Sequence, residues 1–147
     1  MGNKRKLTFK LEKDADGYPP DDYETLWVEE IGDGTFRVDN IPFYVRGISP
    51  DDLVTATESN QHLVFERLVK PSESSVIHIV FYDRSLEPAV RDFVLRAGGG
   101  VERSNLDNLI AIEVGPKCSY ATIVEYLRRL LDDDKLDYDE ASLRHNL

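Results

Sequence analysis

The alternation of apolar and polar residues near the start of the chain predicts a half-buried strand. Leu7, Phe9 and Leu11 alternate with polar residues, and a period of two places such a row on one face of a strand. Residues 14–22, which follow, contain one glycine and two adjacent prolines. Because these residues break regular structure, we expect a loop there.

The next pattern predicts a hairpin. Residues 24–31 and 35–38 read as strands, and the Gly-Asp-Gly sequence between them is typical of a tight turn. Leu26 and Val28 should face the core, while Trp27 should lie on the opposite face. We expect Trp27, the only tryptophan, to pack beneath neighbouring elements because its ring is large and apolar.

Two further strands complete the first half. They are predicted over residues 53–57 and 63–70, with Leu63, Phe65 and Val69 on one face. No stretch of the first half has convincing helical spacing. Short strands of this number are closed most economically by a small β-barrel or a curled antiparallel sheet.

The second half alternates strands with helices. Strands are predicted over residues 76–82, 101–104, 106–114 and 136–142. Helical spacing follows Ser85, a predicted N-cap, and again follows Ser119. The second helix carries one apolar face, formed by Ile123, Leu127, Leu130 and Leu131.

The predicted order in this half is β-α-β-β-α-β, which is the order of a ferredoxin-like fold. The fold class is therefore α+β, with a β-rich half over residues 1–72 and a βαββαβ half over residues 73–147. Each half alone is near the size at which a hydrophobic core becomes marginal. We therefore expect the two halves to pack as one unit.

The composition of the chain limits the classes of partner that it is expected to bind. The chain has 147 residues and a net charge of −10, which disfavours nucleic acid and anionic membranes because both need neutralising lysines and arginines. A single cysteine, Cys118, excludes an internal disulfide and fits a reducing compartment. Neither a signal peptide nor a run of 18 apolar residues is found, so a cytoplasmic location is expected.

The acidic residues are concentrated in two stretches. Residues 12–24 and residues 132–140 each hold six acids and one lysine, so each carries −5, and together they equal the net charge of the chain. Tyrosines lie in both stretches, and acids interleaved with tyrosines suit an interface with a basic protein. The predicted partner-binding residues are Asp14, Asp16, Asp21 and Asp22 in the first stretch, and Asp132, Asp133, Asp134, Asp137, Tyr138, Asp139 and Glu140 in the second.

No pattern predicts catalysis, a metal or a cofactor. The glycines at 98–100 follow a helix, so they indicate a helix end and not a phosphate-binding loop. Neither Cys118 nor His78 has a catalytic partner in its sequence context. A calcium loop starting at Asp132 is excluded because Asp137 and Leu143 stand where glycine and glutamate are required. We therefore expect a protein that is not an enzyme.

Several short motifs resemble a family of small bacterial proteins of unassigned function. They are Glu24-x-Leu26-Trp27-x-Glu29, the Gly32-Asp33-Gly34 turn, Asn40-x-Pro42-Phe43 and Gly47 followed by Asp52 and Val54. The resemblance implies a β-rich front half followed by an α+β back half, and it supplies no catalytic residues. In size and charge the chain is also similar to immunity proteins of bacterial toxin systems, including contact-dependent inhibition.

Two functional hypotheses follow. The first is an acidic immunity protein that neutralises a basic bacterial toxin domain, such as a nuclease, by direct binding. The alternative is a regulatory module in which the βαββαβ half senses a small metabolite. We favour the acids at 132–140 as the contact surface, because a helix and a strand hold side chains more firmly than a loop does. The sequence leaves the oligomeric state open.

Overall fold

The computed structural model describes residues 3–32 and 34–145. The chain divides into two compact units, Met1–Ser72 and Glu73–Leu147. In these described ranges it consists of a five-stranded barrel and a four-stranded antiparallel sheet, together with two α-helices. Within the described residues, no helix is both long and apolar enough to cross a membrane.

The first unit is a closed five-stranded barrel, which confirms its predicted β-rich character. Successive strands pair antiparallel, and a short parallel pairing of the first strand with the fifth, at Leu7 with Leu63, closes the barrel. The strands are β1 (Asn3–Lys10), β2 (Tyr23–Gly32), β3 (Thr35–Val38), β4 (Leu53–Ser59) and β5 (His62–Lys70). Asp33, at the centre of the predicted hairpin turn, lies outside the described residues.

The barrel interior is filled by the apolar rows of its strands. The predicted inward rows of β1 and β2 are confirmed, and the ring of Phe9 stacks on that of Phe65 at 4.7 Å between centroids. The buried residues of this core are Leu7, Phe9, Leu11, Leu26, Val28, Phe36, Val38, Val45, Ile48, Val54 and Leu63.

The prediction that Val69 shares the inward face of β5 is wrong. The pairing of β4 with β5 skips a residue, because Ala56 lies opposite Phe65 whereas Thr55 lies opposite Arg67. Such a bulge shifts the alternation by one residue. Leu68 consequently packs against the core, and Val69 is exposed.

The second unit is a four-stranded antiparallel sheet with two helices. Its elements are β6 (Ser75–Phe81), a short 3₁₀ turn (Arg84–Leu86), α1 (Glu87–Arg96), β7 (Gly100–Arg103), β8 (Leu109–Val114), α2 (Tyr120–Asp132) and β9 (Leu136–Ser142). The strand order across the sheet is β7-β8-β6-β9. This sequence of strands and helices is the one predicted.

The core of this unit combines inward side chains of β6 and β8 with the apolar faces of both helices. The second helix follows Ser119 as predicted, and Ser119 caps it, because its hydroxyl accepts a hydrogen bond from the Thr122 amide at 3.3 Å. The rings of Phe93 and Tyr126 stack at 3.8 Å. The buried core residues are Ile77, Ile79, Phe81, Val90, Val94, Ile110, Ile112, Val114, Tyr120, Ile123, Leu127 and Leu136.

The predicted role of Ser85 as N-cap of the first helix is wrong. Asp83 caps the 3₁₀ turn that precedes this helix, because its carboxylate accepts hydrogen bonds from the amide of Ser85 at 3.1 Å and from its hydroxyl at 2.6 Å, whereas α1 itself has Leu86 at its N-cap position and no side-chain cap. These two bonds lower the pKa of Asp83. Ser85 therefore lies inside the 3₁₀ turn, and α1 begins two residues later at Glu87.

Candidate functional site

The second acidic stretch forms an exposed surface at the end of α2 and along β9. Its exposed carboxylates are those of Asp132, Asp133, Asp134, Asp137 and Asp139, and we call this set the acidic edge. β9 pairs with β6 on one side, and in the described part of the chain no strand pairs with its other side. The acidic edge therefore combines negative charge with a free strand edge.

Most of this charge is not neutralised by the chain. Lys135, the one basic residue of the stretch, lies 4.0 Å from Asp83 and not beside the aspartates of the edge. Among the residues that the structure describes, no basic side chain is at ion-pair distance from Asp132, Asp133, Asp134 or Asp137. Three of these aspartates follow or end α2, where the negative end of the helix dipole disfavours them.

Tyr138 and Glu140 differ from the other predicted residues of this stretch. Tyr138 is half-buried against the core of the unit, and Glu140 accepts a hydrogen bond from the Tyr120 hydroxyl at 2.7 Å. Burial of Tyr120, together with this bond, raises the pKa of its hydroxyl. These two residues thus join β9 to the helix layer, which leaves the five aspartates to face outward.

Some carboxylates of the first acidic stretch are engaged in contacts within its own loop. The carboxylate of Asp14 accepts hydrogen bonds from the amides of Asp16 at 2.9 Å and Tyr18 at 3.0 Å. Lys13 lies 3.4 Å from the carboxylate of Asp22 and donates to two backbone carbonyls of the loop. Asp16 and Asp21 are exposed, so only part of this charge remains available to a partner.

Glu24, the last acid of that stretch, is a structural residue. It is buried, and its carboxylate accepts hydrogen bonds from the amides of Phe43 at 2.7 Å, Tyr44 at 3.0 Å and Val45 at 2.9 Å. The sequence contained a signal for this role, since Glu24 shares the inward strand period of Leu26. The count of six surface acids in residues 12–24 therefore included one buried carboxylate, that of Glu24.

The other motif residues hold the same loop, which joins β3 to β4. The side-chain oxygen of Asn40 accepts a hydrogen bond from the Trp27 amide. The fully buried carboxylate of Asp52 accepts from the amides of Ser49 at 2.9 Å and Ser72 at 2.7 Å. The motif therefore encodes the anchoring of a loop within the barrel unit.

Trp27 does not pack beneath other elements as predicted. It lies on the face opposite Leu26 and Val28, as expected, but its side chain is on the outer surface of the barrel and is 45% exposed. The ammonium of Lys6 lies 5.3 Å from the centre of its ring. The prediction was wrong because the outward row of β2 is open to solvent, as the exposure of Tyr23 also shows.

The second unit contains a cavity of about 320 Å³ between the start of α1 and the turn that joins β7 to β8. Glu87, whose side chain is 11% exposed, accepts two hydrogen bonds from Arg103, each 3.0 Å long. At the rim, Arg84 pairs with Asp107 at 2.8 Å. The charged lining is thus balanced, and Pro88, Leu106, Leu109 and Ile110 supply an apolar wall.

A serine–histidine contact also occurs in this unit. The hydroxyl of Ser75 lies 2.7 Å from Nδ1 of His145, whose Nε2 lies 2.9 Å from the carbonyl of Gly115. Ser75 is fully buried, so a substrate has no access to it and the contact fastens the last described residues to β6.

Cys118 is a half-buried free thiol. In the described ranges, no group of side chains could hold a metal ion.

Comparison with known proteins identifies the family. A solved crystal structure of a hypothetical protein from Neisseria gonorrhoeae is similar to this chain, with a TM-score of 0.84 and 23% identity over 99% of each chain. At that identity the likeness shows a shared fold alone. No curated protein matches the sequence. A family model described as "Domain of unknown function (DUF4265)" matches residues 24–138. That span covers most of the chain, so the protein belongs to the DUF4265 family, as the resemblance to a family without assigned function led us to expect.

Proposed function

We propose that this protein is an acidic binding protein that acts as an immunity protein, holding a basic bacterial toxin domain such as a nuclease. The observation that carries the proposal is the acidic edge, where exposed aspartates surround a free strand edge. Its carboxylates would pair with the lysines and arginines with which a nuclease contacts phosphates. We place this function in the cytoplasm, where Cys118 would stay reduced.

The physics of the edge supports binding in three ways. Aspartates at the end of α2 are disfavoured by the helix dipole, so a cationic partner relieves a local repulsion as it docks. Opposite charge also steers encounter and raises association rates by about 10–10³-fold. The free side of β9 offers backbone groups to which an extended segment of the partner can add as a further strand.

We also propose that the second unit is a ferredoxin-like fold. Its βαββαβ element order and its strand order, with β6 and β8 central and β9 and β7 at the edges, support this assignment. A sheet backed by two helices positions side chains more firmly than a loop does. The aspartates on β9 would then be presented in a nearly fixed geometry.

The test compares two triple variants of equal charge change. Asp133, Asp134 and Asp137 are replaced by Asn in one, and Glu12, Asp16 and Asp21 by Gln, Asn and Asn in the other. Tagged proteins capture partners from lysate of the native bacterium, and association with the captured protein is then measured as a function of ionic strength. We expect the edge triple to slow association and to flatten its salt dependence, because such charges act mainly on the association rate.

The loop triple should leave both quantities close to wild type. Co-expression supplies the functional readout: wild type should restore growth to cells that express the captured protein, and the edge triple should restore it less well. Unchanged salt dependence in the edge triple, or a captured protein that is acidic or harmless, would refute the proposal.

The cavity favours a second candidate function, the sensing of a small metabolite. Its lining pairs Arg84 and Arg103 with Asp107 and Glu87 beside an apolar wall. A zwitterion with an apolar side chain, such as an α-amino acid, matches that balance. The test is thermal unfolding with a panel of amino acids, since a bound ligand stabilises the folded state. Stabilisation that Arg84→Ala abolishes would favour this candidate, and no stabilisation by any amino acid would exclude it.

A further inference from the structure

The outer surface of the barrel carries a regular pattern of lysines and aromatic residues. In the register of β1 with β2, Lys6 lies opposite Trp27, Thr8 opposite Thr25, and Lys10 opposite Tyr23. The two threonine hydroxyls are 3.3 Å apart. These six residues form what we call the lysine–aromatic face, in which two lysine–aromatic pairs flank a threonine pair.

This face is locally positive in a strongly acidic chain. None of its six side chains is acidic, although the chain has 28 acidic and 18 basic residues. Lys4, the next outward residue of β1, is paired with Asp39 and Glu29. In contrast, no carboxylate among the described residues is at ion-pair distance from Lys6 or Lys10. Both ammonium groups are therefore available to an anionic ligand.

The aromatic side chains of the face are exposed but rigidly mounted. Trp27 is 45% and Tyr23 is 59% exposed. The Trp27 amide donates to the Asn40 side chain, and its carbonyl accepts from the Asp39 amide at 3.0 Å. Exposed aromatic residues on a fixed backbone lose little freedom on binding and dominate the energy of many protein interfaces.

We propose that the lysine–aromatic face binds a short, extended and acidic segment of a partner protein. Lys6 and Lys10 are four residues apart on one strand, which corresponds to about 13 Å. An extended segment with carboxylates four residues apart has the same spacing. The apolar side chain midway between these carboxylates points to the same face and would lie between Trp27 and Tyr23. The charge on the face selects acidic over basic segments.

The surroundings of the face favour a short peptide over a nucleic acid. The chain continues from Lys10 into the loop that carries the exposed acids Glu12, Asp16 and Asp21. A long polyanion that ran along the face would meet these charges, whereas a segment with two carboxylates would end before them. The ligand class is therefore a bounded acidic peptide.

Trp27 provides a built-in probe, because it is the only tryptophan. The ligand used is a blocked seven-residue peptide of Thr and Val with Glu at its second and sixth positions, and the full chain is titrated while its emission is recorded. We expect a saturable change that weakens with added salt. Lys6→Gln with Lys10→Gln should weaken binding about tenfold.

Matched controls separate this site from effects of net charge. Lys117→Gln with Lys135→Gln removes two lysines from the other unit and changes the net charge equally, from −10 to −12; it should bind the peptide as wild type does. The triple variant of the acidic edge should also bind normally, which separates this site from the proposed function.

Three results would overturn the proposal. The first is no change in emission up to about 1 mM peptide. The second is an equal response to a peptide with Lys in place of Glu, which would leave only apolar contact. The third is tighter binding of octathymidylate than of the acidic peptide, which would assign the face to single-stranded nucleic acid.

Discussion

Replacing Glu24 by Ala should weaken the barrel unit more than any change to a surface acid. The substitution removes the single carboxylate that accepts hydrogen bonds from the amides of Phe43, Tyr44 and Val45. It also frees the loop between β3 and β4. This loop contains Asn40, whose side chain accepts a hydrogen bond from the Trp27 amide. The perturbation thus acts on one contact point between a strand and a loop.

The expected loss follows from the burial of the three donors. Val45 is buried, so its amide would stay unsatisfied at a cost of about 1–3 kcal/mol. Phe43 and Tyr44 are only partly buried, so their amides can turn to water and each loses about 0.5–1 kcal/mol. Together these give about 2–5 kcal/mol, a large share of the roughly 5–15 kcal/mol that stabilises a typical domain.

Urea unfolding followed by Trp27 emission measures this loss, because the only tryptophan lies in the barrel unit. Glu12→Ala is the matched control, since Glu12 is an exposed acid of the same stretch and its loss should change stability by less than about 0.5 kcal/mol. Glu24→Gln keeps the size of the side chain but places an amide donor against backbone donors, so it should fall between the two. A Glu24→Ala variant as stable as Glu12→Ala, at equal m-value, would refute the reasoning.

Three other predictions concern single residues. Trp27→Ala should cost about 2 kcal/mol, measured by urea unfolding and circular dichroism, because only about half of the ring's surface is covered. Burial and a carboxylate acceptor raise the pKa of Tyr120, so the unfolded state releases this proton first and stability should fall above about pH 10. Tyr120→Phe should make that fall shallower by up to about 1.4 kcal/mol per pH unit, read from urea midpoints between about pH 8 and 11. Gly99→Ala should lose about 1–3 kcal/mol in a thermal or urea melt, because a Cβ there would lie 2.8 Å from the carbonyl oxygen of Glu113. Gly115→Ala should change stability little, because a Cβ at Gly115 would meet no atom within 4 Å.

The strands and helices were predictable where one local period governed them. Strand β9 has the predicted bounds of 136 and 142, and α2 begins directly after Ser119, as the apolar period there indicated. Val69 was misplaced because a bulge depends on the partner strand, which the local sequence of β5 does not reveal. Ser85 was misassigned because Asp83, two residues earlier, accepts from the amide of Ser85 itself and so caps a 3₁₀ turn that contains Ser85.

The candidate sites were less predictable than the fold, since they depend on which charges the fold uses. Asp14 looks like a surface acid in the sequence, yet it accepts backbone hydrogen bonds. Glu24 also accepts them, from a buried position that its strand spacing with Leu26 indicates. The lysine–aromatic face was overlooked for a different reason. Its residues come from two strands separated by the loop at 11–22, and only the register of β1 with β2 brings them together.

A basic partner responds to local charge and not to the net charge of the chain. At physiological ionic strength, exposed charges more than about 8 Å apart are largely screened from each other, so −10 spread over the surface would steer weakly. The two acidic stretches carry the same formal charge, but Glu24 and Asp14 are held by internal hydrogen bonds and Asp22 lies beside Lys13. The acidic edge keeps its aspartates together, on one helix end and the strand after it. The local density of exposed carboxylates is therefore higher there, and that density supports the edge as the surface a cationic protein would meet first.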